Sequence, residues 1–260
     1  AVPWVFSRIL VGGLLAMAAL YWGLYIFGNQ NLTPGFFFAG CVTVPLATLV
    51  LLMELCINSR LNGYHVAKAV VVGGMLSIIL TLIFNELPVV SSFAFIPMIA
   101  GPVEETAKLF AAVFIARNWA KAHQVQEGIV LGAAVGAGFA MIETAGYIFR
   151  ALFYQGWETA ISTLVMRAVL SPFTNVLWAA VVVGSLWYAS IESKSKLNGF
   201  FSHIFLRIFL FIVGLHALWN SPLLMPFENR FSAEFGKYLL IGLSGWYILL
   251  QLRSADNTSA

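Results

Sequence analysis

Two glutamates and a lysine, Glu104, Glu105 and Lys108, stand in GPVEETAKLF, a stretch with apolar residues on both sides. Glu143, Arg167, Asn175, His216 and Asn220 are set in apolar runs in the same way. An ionisable side chain in hydrocarbon costs about 2.5–3.5 kcal/mol on insertion scales, so such residues face a bundle interior or a water-filled pocket. On a helix, Glu104 and Lys108 are i,i+4 and Glu105 and Lys108 are i,i+3, so the cation can pair with either acid. Phe139 and Glu143 share one helix face, as do His216 and Asn220. Glutamate and histidine converging on one pocket are ligand types for zinc. A further glutamate beside a metal can act as general base toward bound water. An asparagine can donate to a developing oxyanion. Together these are the parts of a metal-dependent hydrolase. The chain has no Gly-x-Ser-x-Gly elbow, no catalytic cysteine candidate and no phosphate loop.

The elements that must position these groups are membrane spans. Of 260 residues, 60% are hydrophobic and 10% charged, against about 25% charged in a soluble domain. The expected fold is all-α: one polytopic transmembrane bundle over residues 1–260. Apolar runs predict eight spans at 9–27, 36–56, 66–84, 92–115, 127–149, 161–189, 201–219 and 237–252, parted by turn-forming segments such as GNQNLTPG, NSRLNGYH and NELP. The first run is longer than a signal h-region and reads as a span. Cys41 and Cys56 are about 22 Å apart along one helix, too far for a disulfide, and read as small buried residues.

Lysine and arginine are uneven between the two sides. Arg8, Arg60, Lys68, Arg117, Lys121, Lys194, Lys196 and Arg253 fall on one, and Arg150, Arg230 and Lys237 on the other. The positive-inside rule then places both termini in the cytoplasm, and the expected location is a bacterial-type cytoplasmic membrane. His65, His123 and His203 read as surface residues. Trp4, Trp119, Trp157 and Trp187 read as an interfacial belt. Arg207 reads as snorkelling or paired. With a net charge of +3 and no basic patch interleaved with exposed aromatics, a nucleic-acid partner is not expected.

Depth unites the polar residues. Glu104 lies 13 residues from Arg117, Glu143 16 from Glu127, Asn175 15 from Ser190 and His216 16 from Phe200. In straight helices all four sit about 20–24 Å from the cytoplasmic ends. Gly128, Gly132 and Gly136 form a stripe leading toward Glu143, joined by Gly138, and would let another helix approach closely. Arg167 reads as a helix anchor or a carboxylate partner.

Three segments resemble the motifs of the PrsW family of intramembrane metalloproteases, within the wider CAAX-protease-like superfamily. PVEETAKLF resembles its Glu-Glu-x-x-Lys motif, Phe139 to Glu143 its Phe-x-x-x-Glu motif, and His216 to Asn220 its His-x-x-x-Asn/Asp motif. The motif-bearing core spans about 92–220. The resemblance implies zinc-dependent hydrolysis of peptide bonds in membrane-embedded or membrane-proximal substrates. It implies Glu104 as the base, with Glu105 as partner or alternate, and Asn220 as a group that orients substrate or steadies the oxyanion. Glu143, His216 and position 175 are implied as metal ligands, with Lys108 neutralising a glutamate. In RAVLSPFTNVLW the family places a histidine where this chain has Asn175, a poor zinc ligand. The expected consequence is impaired or absent turnover.

Two other readings follow from the same residues. A non-catalytic scaffold or peptide-binding relative would retain the fold and capture substrate without cleaving it. An ion-coupled transporter would also carry intramembrane acids, but the two halves of the chain show no duplication of the kind expected.

Overall fold

In a computed structural model of the chain, residues 4–93, 96–117, 124–170, 174–222 and 230–257 are described. Trp119, Lys121 and His123 lie outside them. Among the described residues, nine principal helices follow one another and there is no strand. They are α1 Val5–Phe27, α2 Thr33–Leu55, α3 Gly63–Asn85, α4 Ala100–Ile115, α5 Val125–Gln155, α6 Trp157–Leu170, α7 Asn175–Glu192, α8 His203–Trp219 and α9 Arg230–Asn257. Within α3, a π-helical turn over Ala69–Gly73 interrupts the α-helix.

Among the described residues, five segments are long and apolar enough to cross a membrane: Val5–Phe27, Gln30–Leu55, Gly63–Asn85, Val125–Gln155 and Trp157–Glu192. The remaining expected spans are shorter or more polar. Expected at 92–115, α4 begins at Ala100, and Pro97 is the reason. Proline has no N–H to donate and pushes the residue before it out of helical conformation; Ile96 is extended at φ −99°, ψ 108°. α8 is an apolar helix of 17 residues. The run expected at 161–189 forms two helices, with Thr174 non-helical at φ −129°, ψ −122° just before Asn175.

The core lies where α5 meets α7. Both are buried along most of their length, with Ile129, Leu131, Leu177 and Val181 among the fully enclosed residues. The glycine stripe makes this seam. A Cβ at Gly132 would lie 2.1 Å from the carbonyl oxygen of Ala179, and one at Gly136 would lie 2.3 Å from that of Asn175. Gly138 meets a different neighbour, the Val70 carbonyl in the π-helical turn of α3, at 1.9 Å. A second close approach joins α4 to α8, where a Cβ at Gly101 would lie 2.8 Å from both Ala217 N and Val213 O. At the periphery, α1 buries only Leu24.

Two surface expectations are corrected. Trp187 is only 5% exposed and packs over Gly128, whose missing side chain leaves the room for its ring. Lys237 is no loop residue: it is buried on α9 and its Nζ donates to the Ser221 carbonyl at 2.9 Å. Its vote in the orientation count falls away. Cys41 and Cys56 are both buried, as read from the sequence.

Candidate functional site

Four helices bring the expected polar residues together. Gly101 seats α4 on α8, which places Glu104 and Glu105 against His216. Gly136 seats α5 on the first turn of α7, which places Glu143 against Asn175. The result is one connected chain of charged and polar groups.

His216 Nδ1 lies 2.8 Å from Glu105 Oε1. A carboxylate only accepts, so Nδ1 is the donor. The same oxygen accepts from Lys108 Nζ at 2.6 Å. Lys108 is fully buried; its Nζ also donates to Asn175 Oδ1 at 2.7 Å and sits 4.8 Å from the centre of the Phe139 ring. Asn175 Nδ2 donates to Glu143 Oε2 at 2.8 Å. That carboxylate also accepts from Arg167, whose Nε donates to Thr144 Oγ1 at 3.1 Å and whose guanidinium covers the Tyr147 ring at 4.4 Å. At the other end of the chain, His216 Nε2 faces Glu104 Oε2 at 3.7 Å. Glu104 Oε2 and Glu105 Oε2 are buried with no hydrogen-bond partner among the described residues.

Beside this chain is a cavity of about 800 Å³. Its wall includes Glu104, Glu143, Arg167, Asn175, His216 and Asn220. Glu105 and Lys108 stand behind the wall, fully enclosed. Of the pairings left open by the sequence, Lys108 takes Glu105, and Arg167 partners a carboxylate. Several wall residues were not singled out in the sequence. Trp178 is i,i+3 from Asn175 and its ring lies 4.4 Å from that of His216. Tyr147 is i,i+4 from Glu143, and helical spacing from the two polar residues was the available signal for both. Glu86, at the end of α3, sits among turn residues where a carboxylate does not stand out.

A model of the PrsW family of intramembrane metalloproteases matches residues 63–249. The chain belongs to this family. The match takes in α3 to α8 and most of α9, so it contains every helix that lines the cavity. No curated protein and no solved structure matches the chain.

Membership of a metalloprotease family implies a metal, and the side chains can be tested for it. Half of the site suits one. His216 Nε2 and Glu104 Oε2 face each other at 3.7 Å, near the roughly 3.4 Å that two donors on tetrahedral zinc would show with bonds of about 2.1 Å. Glu105 on Nδ1 is the kind of carboxylate partner that fixes a ligating imidazole. The other half does not suit one. Asn175 uses its oxygen on Lys108 and its amide on Glu143, and Glu143 is held by Arg167. Catalytic zinc takes three protein ligands. Among the described residues no group of three or more His, Cys, Asp and Glu is arranged to hold a metal. As these side chains stand, they do not fit the ion.

Proposed function

We propose that the cavity binds a stretch of a membrane-embedded or membrane-proximal polypeptide, and that peptide-bond hydrolysis there is impaired by Asn175. The observation that supports this most is the double hydrogen bond of Asn175. It ties Lys108 to Glu143, at the position where the resemblance implies a metal-binding histidine. In this reading Glu104 is the residue placed to take a proton from water, with its buried Oε2 free of hydrogen bonds. Glu105 orients His216 and is neutralised by Lys108. In the same reading Asn220, one turn beyond His216 on the cavity wall, contacts the carbonyl of the bound polypeptide. With histidine at 175, that residue, His216 and Glu143 through Oε1, the oxygen that Arg167 does not engage, would supply a donor set for zinc and leave Glu104 as the base. We assign the side carrying Arg60, Lys68, Arg117 and Lys194 to the cytoplasm.

The test is metal per chain by elemental analysis on the purified protein and on Asn175→His side by side, followed by cleavage of candidate membrane substrates. The expected result is about one zinc in the histidine form, little in the unaltered chain, and cleavage by the histidine form that Glu104→Gln abolishes. Equal metal in both forms with turnover by the unaltered chain overturns the assignment to Asn175.

Asn175 also favours a second reading, a non-catalytic relative that captures polypeptide without cleaving it. This reading predicts capture by both forms and turnover by neither.

A further inference from the structure

We propose that the cavity selects a cationic side chain, lysine or arginine, on the polypeptide it binds; this rests on the reading of the cavity as a peptide site. The inference comes from which of its charges already have partners. Among the described residues, the charged side chains on the wall are Glu86, Glu104, Glu143 and Arg167, three carboxylates against one guanidinium. Behind the wall, Lys108 and Glu105 neutralise each other.

Arg167, the cation among the described wall residues, is already committed to the Glu143 carboxylate, the Thr144 hydroxyl and the Tyr147 ring. Two of the acids are different. Glu104 has only the 3.7 Å approach of His216, and its Oε2 is buried without a hydrogen bond. Glu86 is exposed at the end of α3 and makes no side-chain hydrogen bond or ion pair among the described residues. The described wall of the cavity therefore presents more negative than positive charge to an entering cation.

The aromatic wall suits the same guest. Trp219 and Tyr238 line the cavity with their ring centres 4.3 Å apart, and Lys237 already sits over one ring, that of Tyr238, at 4.9 Å. Such ring faces attract ammonium and guanidinium groups, tryptophan most strongly. They also pack the aliphatic stem of a long basic side chain.

The experiment uses the full chain in lipid nanodiscs, with a chelator throughout so that no metal ion supplies the difference. Three labelled peptides of alternating leucine and alanine carry lysine, norleucine or glutamate at the centre, and their affinities are compared. The expected order is lysine, norleucine, glutamate, with lysine preferred over norleucine by about tenfold. Glu86→Gln, an exposed change that does not threaten the fold, should reduce that preference by about threefold. Glu158→Gln, an exposed carboxylate away from the cavity, should leave it unchanged. Equal binding of the lysine and norleucine peptides overturns the selectivity while leaving the peptide site standing. Binding of none of the three removes the peptide site and the selectivity with it. A lysine preference untouched by Glu86→Gln but lost with Glu158→Gln places the attraction outside the cavity and also overturns the proposal.

Discussion

Glu105 on α4 and Glu143 on α5 are both carboxylates in an apolar bundle, yet they are held by different means. Glu105 is completely enclosed and gathers two donors from its own neighbourhood, Lys108 one turn on and His216 across the seam. Its environment is set by two rigid helices pressed together at Gly101. Glu143 is about one-sixth exposed on the cavity wall, and its donors come from two other helices, Arg167 from the end of α6 and Asn175 from the start of α7. Between those two helices the helical conformation lapses at Thr174. One carboxylate is thus part of the frame, and the other depends on groups at helix ends. The difference locates where the chemistry of the site can be altered without losing the fold.

The largest effect is expected from breaking the enclosed side. Lys108→Ala strips Glu105 of its cation and leaves a buried charge uncompensated, which typically costs about 3–5 kcal/mol. Thermal unfolding in detergent should show a large loss, or the protein should fail to accumulate; a shift as small as that of an exposed substitution would contradict the picture of Glu105 as frame. A middling effect is expected from Asn175→Ala. It removes one hydrogen bond to an ammonium and one to a carboxylate, and with both charges still paired the total cost is about 1.5–3 kcal/mol. Both charges retain another partner, so the loss should lie below that for Lys108→Ala in the same unfolding assay. The smallest effect is expected from Arg167→Gln. The ion pair is about one-quarter exposed on the arginine side, and solvent-screened pairs contribute about 1 kcal/mol or less. Its unfolding temperature should barely move, and a drop equal to that of Lys108→Ala would erase the distinction between the two carboxylates.

The same contrast explains what could be read from the sequence. Glu104, Glu143, Asn175 and His216 were conspicuous because polar side chains in hydrocarbon are costly, and equal depth along four helices marked them as a set. All four line one cavity. The glycines were legible too, since spacing by four residues announces a close helix contact. Sequence could not tell that Gly138 turns to α3 while Gly132 and Gly136 face α7. Nor could it decide which acid Lys108 takes, because i,i+3 and i,i+4 are both within reach, and only the placement of α8 settles it. Glu86 was hidden for the opposite reason: near a span end polar residues are cheap, so composition gives no signal. The late start of α4 at Ala100 was written in Pro97, but the apolar run around it outweighed that one residue in the reading of span length.

The π-helical turn at Ala69–Gly73 has a consequence for the far end of α3. Such a turn takes in about one residue more than an α-helical turn, so the two ends of α3 are out of phase by about 100° of helix rotation. Thr81, Asn85 and Glu86 meet the cavity in the phase that the extra residue sets. Removing a single residue between Ala69 and Gly73 would restore a continuous α-helix while swinging those three positions off the cavity wall. A one-residue length difference at this point in α3 is therefore a dial on the cavity rim, turned from the opposite end of the helix.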